Sequence, residues 1–321
     1  MNDADVARVA GWLGRPLVVE GRATAGSSNV TWLVRIGDRP AVLRHPPRDA
    51  HRLPTAHDLA REARVLRALA GTAVPVPEVL AECADASVIG VPFVITERCR
   101  GQCLLTAQVP GLDPVALAHG AIDALAALHA VDVAASGLEA PEGSYLIRQI
   151  DRWRDQLART PTAARLGDLE PVVAWLRHQR PLDEARTIVH GDYGFHNLLV
   201  SADRVDAVLD WELATLGDPV ADLFSFLKSW GPDAMAPNPA NDAVALRPGS
   251  PTRDALLGRY EDATGREVRT RAPFYDAFGL WRSIGIFEGI HARSGGTRFR
   301  DETPKLVARI TAMMATVPDT R

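Results

Sequence analysis

Apolar runs broken by small, polar turns occupy the first third of the chain. Residues 3–14 carry a short helical pattern that stops at Gly14. After it, Val18-Val19, Val30–Ile36 and Ala41–Arg44 predict strands, separated by the turns Ala25–Asn29 and Gly37–Pro40. Residues 56–70 switch to helical spacing, with Leu59, Ala63, Leu66 and Leu69 on one face. Two further strands, Val79–Cys83 and Phe93–Glu97, flank the Asp85-Ala86-Ser87 turn. Beyond Gly101 the period is mostly helical. Helices are predicted from Asp113-Pro114 to His129, over 145–159 and 170–180, from Gly217-Asp218-Pro219 to Trp230, and over 252–264, 272–294 and 302–316. Residues 231–251, rich in Pro, Asn, Asp and Ala, read as a mobile surface loop. Strands first and helices after define an α+β chain, with a small N-terminal lobe over 1–98 and a larger, mainly helical lobe over 99–321.

One stretch interrupts the helices. Thr187–Val189 is a short apolar run, His190–Asn197 a polar turn, and Leu198–Val200 with Val205–Leu209 a hairpin closed by Ser201–Arg204. Asp192, Asn197 and Asp210 stand at its ends. Phosphoryl transfer needs a carboxylate to orient and deprotonate the attacking hydroxyl, and oxygen ligands for Mg2+. Asp192 is the candidate base. Asn197 follows at the five-residue interval of a kinase catalytic loop, and Asp210 stands where a kinase places its second metal ligand. His190 reads as a buried residue pinning the loop, and His196 as an ordinary loop residue.

The length, 321 residues, accommodates two lobes, and a net charge of -4 gives no reason to expect a nucleic-acid partner. No apolar run is long enough for a membrane span, and the acidic N-terminus argues against a secretory signal. Cys83, Cys99 and Cys103 read as free thiols, which fits a reducing, cytoplasmic setting. Lysine occurs only at Lys228 and Lys305. The strand Ala41–Arg44, which in a kinase carries the phosphate-gripping lysine, therefore offers Arg44 instead. An arginine grips phosphate with a two-pronged fork of different reach.

His190-Gly191-Asp192-x-x-x-x-Asn197, then Leu209-Asp210-Trp211, then Gly217-Asp218-Pro219-x-x-Asp222-Leu223, together resemble the aminoglycoside phosphotransferase and choline kinase superfamily. Leu43-Arg44-His45-Pro46-Pro47, Leu53–His57, Glu62, Val74–Pro77 and Ser87–Phe93 narrow the resemblance to phosphotransferase domains related to those fused to acyl-CoA dehydrogenases. The resemblance covers roughly residues 20 to 300. It implies a protein-kinase-like two-lobed fold, with an antiparallel sheet plus one helix in the small lobe. It also implies ATP or GTP as donor and Mg2+ as cofactor. The nucleotide would meet Gly26, Ser27, Ser28 and Asn29 in a covering turn, Arg44 paired with Glu62, and the chain from Glu97 to Gly101 between the lobes. Asp218 and Asp222 would fix the catalytic loop from a helix start.

The acceptor in such a family is a hydroxyl on a small molecule, bounded by the C-terminal helices. Arg282, Glu288, His291 and Arg293 are the candidate wall. A polycationic aminoglycoside calls for clustered carboxylates, yet Glu288 is the only acidic residue over 281–300. A hydroxy acid or hydroxyacyl thioester ranks above an antibiotic. A nucleotide-binding module without turnover, and a metal-dependent hydrolase built on His190 and Asp192, are the competing readings.

Overall fold

The computed structural model describes residues 1–23, 29–48, 59–105, 108–139 and 141–317. In the N-terminal lobe, α1 (Asp3–Leu13) leads into β1 (Leu17–Arg22), β2 (Val30–Ile36) and β3 (Arg39–His45); α2 (Leu59–Leu69), β4 (Val79–Cys83) and β5 (Phe93–Glu97) follow. The strands form one antiparallel sheet in the order β1-β2-β3-β5-β4.

Strand alternation decides which side chain meets which helix. Ala41 and Leu43 of β3 turn to the face shared with Val34, Phe93 and Ile95, all fully buried. Helix α1 covers that face with Val9, and Trp12 meets the Phe93 ring edge-on at 5.2 Å. Arg44, one residue out of phase with Leu43, turns to the opposite face with Val94. There α2 lays down Leu59 and Ala63. The small lobe thus has two helices against its sheet rather than one. Helix α2 also reaches the other lobe: Val65, Leu66 and Leu69 join the C-terminal core, and Arg61 donates to the Ala214 carbonyl at 2.5 Å.

Residues 98–101 cross to the C-terminal lobe. It contains β6 (Gln102–Cys103), α3 (Pro114–His129), α4 (Val133–Ser136), α5 (Tyr145–Ala158), α6 (Glu170–Gln179), β7 (Thr187–Val189), β8 (Leu198–Val200), β9 (Val205–Val208) and β10 (Thr215–Gly217). Then come α7 (Pro219–Leu227), α8 (Pro239–Ala245), α9 (Arg253–Thr264), α10 (Ala272–Arg293) and α11 (Glu302–Thr316). Strands β8 and β9 pair as a hairpin with β6 on its edge, and β7 pairs with β10. Helix α10 is buried along most of its length, with Leu280, Trp281 and Ile284 at no exposure, and it packs on α5, α7 and α11.

Two expectations need correction. Helix α7 ends at Leu227 instead of Trp230, and Lys228 caps its last carbonyls. Residues 231–251 are not a featureless loop. Asn238 caps α8 by accepting from the Ala240 and Asn241 N–H groups, Pro239 fills the first helical position, and Asn241 is completely buried.

Candidate active site

The turn after β7 is fixed from beneath. Gly191 adopts φ +82°, and a Cβ there would sit 2.7 Å from the Leu213 carbonyl oxygen, so only glycine passes. Asp222, buried in the first turn of α7, accepts from the backbone N–H of His190 at 2.5 Å and of Gly191 at 3.0 Å. His190 is at no exposure. Its Nε2 donates to the Leu209 carbonyl at 2.8 Å, and its Nδ1 accepts from the Asp192 N–H at 3.1 Å. Burial lowers its pKa, so the ring is neutral. With both ring nitrogens engaged, His190 has no lone pair for a metal, which removes the basis of the hydrolase reading.

These bonds present Asp192 with 41% of its side-chain surface open. Its Oδ2 faces His196 Nε2 and Asn197 Nδ2, each at 3.3 Å, and its Oδ1 faces Arg282 Nη2 at 3.4 Å. Partial desolvation of its carboxyl group acts to raise its pKa. The hydrogen bond from His196 and the positive charge of Arg282 outweigh this and hold it well below the usual carboxylate range. Asp192 is therefore ionised.

His196 proves to be more than an ordinary loop residue. Asn238 donates from Nδ2 to His196 Nδ1 at 3.1 Å, which leaves Nε2–H to point at Asp192. Asn241 Oδ1 accepts from the Phe195 N–H at 3.0 Å, and its Nδ2 donates to Ser229 Oγ at 2.8 Å. Two asparagines from the 231–251 segment thus hold the 190–197 turn. The Asn-Pro pair that starts α8 is the only local sign of this in the sequence.

Asn197 donates through Nδ2 to the Asp192 carbonyl at 2.9 Å, which turns its Oδ1 away from Asp192. Asp210 sits in the left-handed region, φ 64°. Its Oδ1 is buried with no hydrogen-bond partner among the described residues and lies 3.7 Å from Arg44 Nη2. An orphaned carboxylate oxygen and an outward amide oxygen suit Mg2+, which takes one or two protein oxygens and fills its shell with water and phosphate.

Arg44 joins the lobes. Its Nη1 makes a short bond to Glu62 Oε1 while Nη2 faces Asp210. Burial pushes the Glu62 carboxyl above its ordinary pKa; Arg44 opposes this, and Asp210 and Glu212 add to it. Gly26, Ser27 and Ser28 lie outside the described residues. Asn29, next to them at the start of β2, is buried with both side-chain polar atoms unpartnered among the described residues. Glu97 donates its N–H to the Glu78 carbonyl at 2.8 Å, so it offers a nucleotide base only acceptors.

Of the four candidate acceptor residues, the structure brings only Arg282 to Asp192. Glu288 is fully buried on Arg165 at 2.7 Å, and His291 is buried with Nδ1 at 2.8 Å from the Arg298 carbonyl. Arg293 is exposed at the far end of α10. From Arg282, Glu288 lies about 9 Å along the helix by its rise, and the other two lie farther. Lys228 stands near Arg282 instead: its Nζ donates to Ser225 O at 2.6 Å and Oγ at 3.1 Å, and Arg282 Nη1 reaches the same Oγ at 3.4 Å.

A profile of the phosphotransferase enzyme family matches residues 21–274. Mouse (Mus musculus) acyl-CoA dehydrogenase family member 10 is 34% identical over 299 residues, covering 90% of this chain but 28% of its own length. This chain therefore corresponds to only part of that relative. Escherichia coli hygromycin-B 4-O-kinase is 30% identical over 190 residues, 53% of each chain. A Ralstonia eutropha structure provisionally assigned to the aminoglycoside phosphotransferases superposes with a TM-score of 0.74 at 32% identity, covering 96% of this chain and 95% of that one. A thermostable aminoglycoside phosphotransferase complexed with AMP-PNP and hygromycin B superposes at 0.66 with 18% identity, a likeness of fold.

Proposed function

This chain belongs to the phosphotransferase enzyme family, and from that premise we propose that it moves the γ-phosphate of ATP or GTP to a hydroxyl of a small acceptor, a hydroxy acid or hydroxyacyl thioester. One observation carries the reading. Arg44 pairs with Glu62 and at the same time faces Asp210, so the phosphate-gripping strand, its helix and the metal-side carboxylate meet at one point between the lobes.

Asp192 accepts the acceptor's hydroxyl proton as the oxygen attacks the γ-phosphorus. The bond to the β-phosphate oxygen breaks, and the nucleoside diphosphate leaves. Asn197 and Asp210 would hold Mg2+, which neutralises charge on the phosphates when bound. Arg44 grips the phosphates, with Glu62 fixing its fork. Asn29 and the turn before it cover them, and the chain from Glu97 meets the base.

The acceptor class is supported from two sides. Relatives that cover most of this chain are named as acyl-CoA dehydrogenase family members. In addition, the charge beside Asp192 is positive. Arg282 would repel a polycationic aminoglycoside, and the carboxylates six residues to either side of it, Asp276 and Glu288, are already taken by Arg253 and Arg165. A thermal-shift screen tests the reading: ATP and GTP, with and without Mg2+, against hydroxy acids, their thioesters and aminoglycosides. A nucleotide shift that needs Mg2+, with a further shift from a hydroxy acid or thioester, is expected. No shift with either nucleotide at millimolar concentration would reject it.

A further inference from the structure

The buried or part-buried arginines of this chain mostly meet a carboxylate closely: Arg165 on Glu288 at 2.7 Å, Arg253 on Asp276 at 2.5 Å, Arg44 on Glu62. Two neighbouring cations break this pattern. Arg282, with 9% of its side chain exposed, has Asp192 and Ser225 Oγ at 3.4 Å each, both long for a charge-assisted bond. Lys228, one of only two lysines in the chain, donates, among the described residues, to the neutral oxygens of Ser225. The two cations share that single serine hydroxyl.

Capping the C-terminus of α7 accounts for one of the three ammonium protons through the Ser225 carbonyl, and Ser225 Oγ for a second. Neither bond compensates for holding two positive charges together in a partly desolvated place. Burial, and after it the charge of Arg282, drives the Lys228 pKa down to about 7, while Asp192 and Asp222 act the other way and offset only part of this. A ligand bearing a negative charge relieves the repulsion.

We infer that Lys228 and Arg282 form an anion site for the acceptor, taking the carboxylate of a short hydroxy acid whose hydroxyl is presented to Asp192. This rests on the kinase reading above and sharpens it. A hydroxyacyl thioester has no carboxylate for the pair, so the free acid is the acceptor. The acid is short because Arg282 touches both the base and the serine that holds Lys228.

Calorimetric titration of lactate, 3-hydroxybutyrate and 4-hydroxybutyrate, each beside its methyl ester, into the protein with Mg2+ and AMP-PNP tests this. At least one acid is expected to bind about tenfold or more tightly than its ester. Lys228→Met should bring that acid to the ester's affinity and leave AMP-PNP affinity unchanged, whereas Lys228→Arg should keep the preference for the acid. Equal binding of acids and esters, no binding of any acid, or an acid affinity untouched by Lys228→Met would overturn the inference. So would loss of AMP-PNP affinity instead, which would place the pair on the nucleotide. If Lys228→Met does not fold, the comparison of acid with ester on the unaltered protein decides. Phosphate transfer from ATP, followed in parallel, separates the two claims. Acid binding without transfer to any alcohol defeats the kinase reading alone; transfer to esters as readily as to acids defeats the anion site alone.

Discussion

On the proposed function, Arg44 does with a guanidinium what an ammonium does elsewhere in kinase-like strands. Its fork spans two carboxylates at once, Glu62 through Nη1 and Asp210 through Nη2. A lysine has one point of charge and no fork. Arg44→Lys is therefore expected to weaken nucleotide binding, and Arg44→Ala to weaken it by about tenfold or more, as titration with AMP-PNP would measure. Equal affinity across the three would show that Arg44 does not grip phosphate. Asp192 was legible from its spacing to Asn197. Its setting was not: His196, which bonds it, is itself held by Asn238 from 42 residues farther along the chain, and local patterns carry no such distance. His196→Ala removes a hydrogen bond to the base and a reason for its low pKa. The acid limb of the rate profile should move to higher pH and kcat should fall, with nucleotide affinity unchanged. An unmoved limb would leave His196 as packing.

At the scale of elements, regular hydrophobic spacing made most helices and strands readable, because the period itself is the signal. Helix α8 escaped because its few turns lie among prolines and small residues, and its value lies in two buried or half-buried asparagines. Asn241→Ala strips the Phe195 N–H of its acceptor and Ser229 Oγ of one donor at a site with no exposure. A loss of about 1–3 kcal/mol in chemical denaturation is expected, with a fall in kcat as the loop slackens. A neutral effect on both would mean α8 does not hold the loop.

Buried histidines between elements give the stability a pH dependence. His129 joins α3 to α9 through Tyr260 at 2.7 Å, and burial lowers its pKa despite the nearby Asp222. The unfolded ring gains a proton below about pH 6.5 while the folded ring resists, so the unfolded state binds more protons and stability falls with pH. Asp218 and Asp276, both raised to about 6 by burial, run the other way and gain as pH falls through that value. The clean readout is a difference. From pH 7 to 5 the unaltered protein should lose more stability than His129→Gln, by at most about 2 kcal/mol. Parallel curves would show that His129 is not held neutral.

The whole molecule depends on two lobes meeting at a defined angle. Helix α2 lends residues to both cores, Arg44 reaches Asp210, and the connection passes through Gly101 at φ +90°, where a Cβ would lie 2.7 Å from Asp206 Oδ2. The two-part division was visible in the change from strands to helices. The meeting of Arg44, Glu62 and Asp210 was legible only through family resemblance, since their separations in sequence say nothing of proximity. That Glu288 and His291 serve packing was hidden for a related reason: a helix face can be assigned from spacing, but its neighbours cannot. The central claim is that Asp192 is the base of a phosphate transfer assembled between these lobes. Its most direct test is Asp192→Asn, with transfer from ATP to the best acceptor followed by phosphorus NMR and nucleotide affinity measured separately. The account predicts a rate lower by about 10²–10⁴-fold, the usual share of a general base, with Mg2+-nucleotide affinity essentially kept. Transfer at an undiminished rate would contradict it.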